Sequence, residues 1–262
     1  MSTEATLSTF LCLVFLVAMA SAQGLQIDTG RWTVDEINNL LSRASKLPTQ
    51  QRIAHLSREM LGLPYNDKTL IGDIKNPEVF VINLAEMDCL TFLDYIEAMR
   101  LSKDFAEFKE HLKGVRYKSA RVDFRHRRHF FTDWANSEPS TVADVTRALG
   151  GNDAKAVNKT LNIKRDGSRY LNGLPPVKRQ IWYIPASKIS EETLNKLQTG
   201  DYIGIYTTKM GLDVSHVGIF IREGDNRPIF RHASSLKGKV VDEDFSKYVS
   251  RAAGIVVLRP MR

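Results

Sequence analysis

The spacing of apolar residues predicts helices in the first half of this chain. Thr33 and Glu36 form a capping-box pattern that opens a helix ending near Pro48. The apolar residues of this helix share one face, and they are Ile37, Leu40, Leu41 and Ala44. A second helix is predicted from about residue 50 to 61, and the apolar run at 79–84 predicts a strand.

Three more helices and a series of strands are predicted after this strand. Asp88 is placed to cap a helix with Leu93, Ile96 and Met99 on one face, and Phe105, Phe108 and Leu112 continue helical spacing. Ser140 or Thr141 is expected to cap a short helix that ends at Leu149. From Asp201 onward, β-branched apolar runs alternate with turns, which predicts strands at 202–206, 214–221, 229–232, 239–241 and 254–258. This order predicts an α+β fold.

The first 22 residues predict an export signal. The apolar run at 11–18 is too short to span a bilayer comfortably, and Ala20-Ser21-Ala22 supplies a small-residue cleavage site. An uncleaved anchor is the alternative, because the segment before the apolar run contains Glu4 and no Lys or Arg. We expect residues 23–262 to form a single domain without stable membrane insertion, in which residues 23–63 are a helical N-terminal elaboration.

Cys89 would be the one cysteine left after removal of that signal. A lone thiol forms no internal disulfide, so Cys89 is either a buried small residue or a reactive nucleophile. Asp88 as a helix cap would place Cys89 in the first helical turn. Unpaired N–H groups and the helix dipole favour a thiolate there, so the sequence predicts a nucleophile.

Two histidines lie on neighbouring predicted strands. His216 is in the run at 214–221, His232 is in the run at 228–234, and the turn signal at 223–226 joins them into a hairpin. Because paired strands lie about 5 Å apart, one imidazole could orient the other. A nucleophile, a base and an orienting group are the three parts of a catalytic triad.

Four ordered blocks of sequence resemble a known family. The blocks at 61–65, 88–92, 128–134 and 212–218 are similar to the N-acetylmuramoyl-L-alanine amidase-like subfamily of the NlpC-like, papain-like cysteine hydrolases. The resemblance extends over roughly residues 55–262. Leu90-Thr91 stands where the commoner NlpC-like motif has Ser-Gly after the cysteine, which argues against the familiar stem-peptide endopeptidases.

The resemblance implies a papain-like core, in which a helix that bears Cys89 packs on an antiparallel sheet that bears His216 and His232. It also implies hydrolysis of the amide between muramic acid and L-alanine, preferentially in small anhydro-muramic fragments of peptidoglycan, in the bacterial periplasm. Tyr65, upstream of the cysteine, would help the Cys89 N–H to bind the oxyanion. We expect a monomer that binds muropeptides. The mechanism needs no cofactor or metal ion.

Charge adds candidate substrate contacts. The formal net charge is +7, and it becomes +8 without residues 1–22, which suits anionic wall material. The basic run at 121–129 is followed by aromatic residues, so Arg128, His129 and Trp134 are candidate substrate-binding residues. Two acids are also candidates, namely Asp88 and Asp213, although Asp213 could simply begin its strand. No zinc-finger, RNA-binding or basic-zipper pattern is present, which argues against nucleic acid as a partner.

Three alternative functions stay open at this point. A stem-peptide endopeptidase would share the triad and differ in its pocket contacts. A thiol acyltransferase would pass the same acyl group to an amine or an alcohol. A non-catalytic wall-binding module would not need Cys89.

Overall fold

The computed structural model describes residues 24–222, 224 and 227–261. The predicted export signal lies outside the described residues, as do three of the four residues of the predicted turn at 223–226. Within the described ranges, we find no helix with the length and apolar character needed to cross a membrane.

Seven α-helices and ten strands are present in the described part of the chain. The helices are α1 Val34–Ala44, α2 Thr49–Glu59, α3 Cys89–Arg100, α4 Phe105–Arg116, α5 Thr146–Gly150, α6 Glu191–Lys196 and α7 Phe245–Val249. The strands are β1 Leu25–Asp28, β2 Phe80–Asn83, β3 Val142–Asp144, β4 Lys155–Leu161, β5 Val177–Pro185, β6 Tyr202–Tyr206, β7 Val214–Ile221, β8 Ile229–Ser234, β9 Lys239–Asp244 and β10 Gly254–Pro260.

The predicted capping box at the start of α1 is confirmed. The Thr33 hydroxyl accepts a hydrogen bond from the Glu36 amide at 3.2 Å, and the Glu36 carboxylate accepts one from the Thr33 amide at 2.8 Å. The four predicted apolar residues are buried: Ile37, Leu40, Leu41 and Ala44. The two helices predicted after β1 are therefore present, as α1 and α2.

The main sheet is antiparallel and has the order β4-β5-β10-β6-β7-β8-β9, with β3 paired to β10. Helix α3 packs against β7 and β8. Val217 and Ala233 of these strands belong to the same apolar core as α3, whereas Phe220 and Phe230 belong to a second core with Phe245 of α7. The predicted combination of helices with an antiparallel sheet is thus confirmed, as a mixed α/β fold.

The prediction of a helix cap at Ser140 or Thr141 is wrong. Residues 142–144 form β3 against β10, and α5 begins only at Thr146. The N-cap position is Val145, whose side chain makes no capping bond. The Thr146 hydroxyl instead accepts a hydrogen bond from the Val257 amide of β10 at 2.8 Å. Pairing with β10 outweighs the local capping preference.

Other differences concern polar strands. The apolar pattern of the sequence does not predict β1, β4 or β5. It predicts that β9 ends at residue 241, whereas β9 continues to Asp244. Much of β4 and β5 is exposed and polar, and the end of β9 carries three acids in a row. Strands of this kind are held by their partners and lack the apolar alternation that identifies a strand in sequence.

Gly218 lets β7 and β8 approach closely behind the histidines. A Cβ atom at Gly218 would lie 2.6 Å from Cε2 of Phe230 and 2.7 Å from the carbonyl oxygen of Arg231. Since the register places Ile219 opposite Arg231, continuing it places Gly218 opposite His232. Any side chain here would push the two strands apart.

We expect Gly218→Ala to lower the free energy of unfolding by about 1–3 kcal/mol, because overpacking forces the backbone and the Phe230 ring to shift. Urea denaturation measures this change. The control is Gly114→Ala in α4, where an added Cβ meets no atom within 4 Å and a helix-favouring residue should stabilise by up to about 1 kcal/mol. Equal effects of both substitutions would contradict the close approach.

Candidate active site

The start of α3 positions the predicted nucleophile. The Asp88 carboxylate accepts hydrogen bonds from the Thr91 amide at 2.7 Å and the Thr91 hydroxyl at 2.6 Å, and the Asp88 amide donates to that hydroxyl at 2.9 Å. This reciprocal cap, which the sequence predicts through Asp88, makes Cys89 the first helical residue. Asp88 is thus engaged in capping, and Cys89 is a free, half-buried cysteine.

The Cys89 thiol is neutral at rest. Burial, together with the nearby Asp88 carboxylate, raises its pKa to about 12. The backbone amides of Val217, Cys89 and Leu90 oppose this rise, but they are outweighed. The amides at the helix start thus favour the thiolate in the expected direction, but removal of the thiol from water has the larger effect.

The two predicted histidines are joined by a direct hydrogen bond. Nε2 of His216 lies 2.7 Å from Nδ1 of His232, and the two rings are nearly perpendicular with centroids 4.8 Å apart. Continuing the β7–β8 register makes these residues diagonal neighbours, since Gly218 lies opposite His232. The predicted contact between the two strands is present.

Glu243 extends this contact to a third strand. Oε2 of Glu243 lies 2.9 Å from Nε2 of His232. In the register of β8 and β9, Glu243 lies opposite Phe230 and is therefore diagonal to His232. Sequence reasoning missed Glu243 because the predicted strand ended at residue 241, and a longer strand there would have been the signal. We call Glu243, His232 and His216 the diagonal triplet.

Both imidazoles of the diagonal triplet are neutral. Burial lowers the pKa of His216 to about 3, and His232 adds to the effect. Burial also lowers the pKa of His232, although the charges of Glu243 and Asp242 act in the opposite direction. A neutral thiol and a neutral imidazole therefore line the same cavity.

Two tyrosines flank the thiol. Burial raises the pKa of Tyr65 to about 12, and the nearby Asp88 carboxylate contributes. Burial, Glu243 and Cys89 likewise raise the pKa of Tyr248 to about 12. Both phenols therefore stay protonated. The Tyr65 backbone is held by a hydrogen bond from its amide to the Gly238 carbonyl oxygen at 2.9 Å, and its oxyanion role stays a prediction.

Two cavities meet at His216. The smaller has a volume of about 190 Å³ and a mostly apolar lining, which includes Cys89, His129, Phe130, Tyr170, Leu171 and Leu212. The larger has a volume of about 660 Å³ and a polar lining, which includes His232, Ser234, Lys237, Glu243, Tyr248 and Arg251. Ser215 and His216 line both. We call them the thiol cavity and the polar cavity.

The structure does not bring Arg128 or Trp134 to either cavity. The Arg128 guanidinium is buried and donates to the carbonyl oxygens of Val115 at 2.9 Å and Tyr117 at 3.0 Å. Trp134 is buried edge-on against Tyr202. Their assignment as substrate contacts is not retained, because both side chains act in packing.

The other two candidates from the same prediction do line the thiol cavity. His129 is anchored through Nε2 to the Phe124 carbonyl oxygen at 2.8 Å, and burial lowers its pKa to about 4. The Asp213 carboxylate accepts from the amide and the hydroxyl of Thr132, each at 2.8 Å, and from the Val214 amide at 2.8 Å. Asp213 therefore fixes the start of β7, the structural alternative that the sequence left open.

The connection between β4 and β5 adds residues that the sequence analysis missed. Tyr170 and Leu171 in this connection line the thiol cavity, and the Tyr170 hydroxyl donates to the Met210 carbonyl oxygen at 3.2 Å. No motif marks them, because they reach the site only through the pairing of β4 with β5. In the parts of the chain that are described, no three His, Cys, Asp or Glu side chains cluster as around a metal ion.

Comparisons with known proteins agree with this arrangement. A family model described as N-acetylmuramoyl-L-alanine amidase-like matches residues 55–255. The structure of an N-acetylmuramoyl-L-alanine amidase from Bacteroides uniformis is 27% identical, with a TM-score of 0.67 over 82% of this chain and 99% of that one. No curated protein matches the sequence.

Two further solved structures are similar. A Legionella pneumophila protein has a TM-score of 0.74 at 22% identity and covers 87% of this chain and 94% of its own, which supports the fold alone. A Bacteroides fragilis protein described as a candidate xylanase has a TM-score of 0.64 at 28% identity, over 78% of this chain and 98% of that one.

The raised pKa of Cys89 predicts how the rate of its alkylation by iodoacetamide depends on pH. Between pH 5 and 9 the alkylation rate should rise by about tenfold per pH unit without levelling off, because a thiol with a pKa of about 12 gains thiolate as pH rises. Free cysteine, with an ordinary pKa near 8.5, is the control and should level off above about pH 9. A pH-independent rate between pH 5 and 8 would instead reveal a preformed thiolate–imidazolium pair.

Proposed function

Since this chain belongs to the N-acetylmuramoyl-L-alanine amidase-like family, we propose that it hydrolyses the amide between muramic acid and L-alanine in peptidoglycan fragments, with Cys89 as nucleophile. The observation that carries this proposal is the hydrogen-bonded pair His216–His232, which ends at the cavity that Cys89 lines. Amide hydrolysis by a thiol needs a base that is held in one orientation, and this pair supplies it.

The proposal includes membership of the NlpC-like group of papain-like enzymes. It is supported by a cysteine at the start of a helix that packs on an antiparallel sheet with two histidines. We also propose that the chain acts as a monomer, after export to the periplasm, where muropeptides are released. The basis of that localisation is the export signal that the sequence predicts at 1–22.

Acylation follows from the two neutral groups. As Cys89 attacks the amide carbonyl carbon, its proton passes to Nδ1 of His216, the ring nitrogen that is not bonded to His232. The new imidazolium is stabilised by His232 and, through it, by the Glu243 carboxylate. When the C–N bond breaks, His216 returns the proton to the leaving L-alanine nitrogen. The products of this step are a muramyl thioester and a free peptide amine.

Deacylation repeats the same proton path with water. His216 takes a proton from water, the hydroxide attacks the thioester carbonyl, and the proton returns to the sulfur atom when the C–S bond breaks. The muramic acid carboxyl group is thereby released and the neutral thiol is restored. In both tetrahedral intermediates, the Cys89 amide and the Tyr65 hydroxyl are the proposed donors to the oxyanion.

The two cavities suit the two parts of such a substrate. The apolar thiol cavity, with Tyr170 at its rim, is small enough to favour an anhydro sugar, which carries fewer hydroxyl groups than ordinary muramic acid. The polar cavity contains two exposed cations, Lys237 and Arg251, which suit the carboxylates of a stem peptide. His216 lies where they meet, which is where the scissile amide would be.

Glycoside hydrolysis is less favoured. That reaction uses a pair of carboxylic side chains on opposite sides of the sugar. Of the described residues that line the cavities, Asp213 and Glu243 carry carboxylates, and each is already hydrogen-bonded within the protein. Neither is placed to act on a glycosidic bond.

The amidase proposal is tested with anhydromuramyl-tripeptide and mass spectrometry. The chain without residues 1–22 should release an intact peptide that begins with L-alanine, and Cys89→Ala should lower the rate by at least about 10⁴-fold, because the covalent route is lost. Circular dichroism of the variant checks that it is folded. Fragments cut inside the peptide would make the protein an endopeptidase. Peptide release that occurs only when hydroxylamine is present as acceptor, and not with water alone, would indicate an acyltransferase.

The proposed placement of the stem peptide in the polar cavity can be tested at its two exposed cations. Lys237→Gln and Arg251→Gln should each raise KM for the tripeptide substrate by about two- to fivefold at low salt with little change in kcat, because each removes one exposed ion pair with substrate. The effect should shrink as ionic strength rises. Lys155→Gln on exposed β4 removes the same charge outside the cavities and should leave KM unchanged. An unchanged KM for the double variant would contradict this orientation.

A further inference from the structure

We propose that Glu243 is a positioning residue that selects the tautomers of His232 and His216, and so makes Nδ1 of His216 the base for Cys89. The inference rests on the proposed cysteine chemistry, and it assigns a role to a residue outside the Cys–His–His set. It follows from the order of donors and acceptors along the diagonal triplet.

The proton of neutral His232 lies on Nε2. An ionised carboxylate accepts hydrogen bonds and donates none, so the contact of 2.9 Å between Oε2 of Glu243 and Nε2 of His232 requires the proton on Nε2. A neutral imidazole carries one N–H. The other nitrogen of His232, Nδ1, must therefore be an acceptor.

The proton of neutral His216 also lies on Nε2. Because Nδ1 of His232 accepts, the contact of 2.7 Å requires the proton of His216 on Nε2. Nδ1 of neutral His216 then has a free lone pair and can take the thiol proton. If His232 instead carried its proton on Nδ1, His216 would carry its own on Nδ1 and could accept nothing from Cys89.

The surroundings of Glu243 support a role in the site. Its neighbour Asp242 forms an ion pair with Arg231, at 2.7 and 2.8 Å, and this pair joins β9 to β8. Glu243 instead lines the polar cavity with about a third of its side chain exposed, and the hydrogen bond that the described residues give its carboxylate is the one to His232. A small carboxylate from solvent can therefore reach this position if the side chain is removed.

The test uses Glu243→Ala with formate. Removal of the fixed acceptor should lower kcat on anhydromuramyl-tripeptide by about 10- to 100-fold, since a positioned base contributes about 10²–10⁴-fold. Added formate should raise the kcat of Glu243→Ala by at least about tenfold, because it can accept a hydrogen bond from Nε2 of His232. Asp242→Ala is the matched control, because it removes a carboxylate from the same strand, and formate should not raise its activity.

A second readout needs no substrate. Two-bond ¹H–¹⁵N spectra of the full domain at pH 7 should show a single tautomer for His216 and His232, protonated on Nε2 in both. In Glu243→Ala both rings should become mixtures of tautomers, and formate should restore the single form, whereas Asp242→Ala should retain it.

Unchanged tautomers in Glu243→Ala, or a loss of activity that formate does not reverse, would overturn the proposal and leave Glu243 as a structural residue. Failure of the proposed function is a separate result. If the unmodified protein cleaves no muropeptide, the amidase assignment is lost, while the spectra still decide what Glu243 does to the two rings.

Discussion

The candidate site depends on the register of three adjacent antiparallel strands. His216, His232 and Glu243 lie on β7, β8 and β9, and each bonds diagonally to the next. A slip of one residue in either pairing would turn a side chain to the opposite face of the sheet. The chemistry is therefore a direct consequence of strand pairing, with Gly218 providing the close approach of β7 and β8.

Burial sets the electrostatics of this site more strongly than local dipoles do. The start of α3 offers the amides of Cys89 and Leu90 to the thiol, yet desolvation keeps it protonated, and the same desolvation keeps His216 unprotonated. In the proposed mechanism, such a pair separates charge only when a substrate carbonyl is attacked.

One buried and one half-buried cation hold the walls of the candidate site in place. Arg231, next to His232, bonds to Asp242 on β9 and to the Ser57 hydroxyl of α2 at 3.0 Å, so it ties α2 to the main sheet. The ammonium group of Lys159 on β4 donates to three backbone carbonyl oxygens of the β6–β7 loop, including that of Leu212 at 2.7 Å. These contacts connect the helical segment and the β4–β5 hairpin to the rim of the cavities.

The amino-acid sequence by itself determined the features that depend on local order: the capped start of α3 at Cys89, the amphipathic α1, and the apolar strands with His216 and His232. These follow from spacing and capping, which involve residues close along the chain. Tertiary structure alone decided the contact of Glu243 with His232, the entry of Tyr170 into the thiol cavity, the burial of Arg128 and the raised pKa of the thiol. Each of these depends on residues that are far apart in sequence, and on how much water the packed chain excludes.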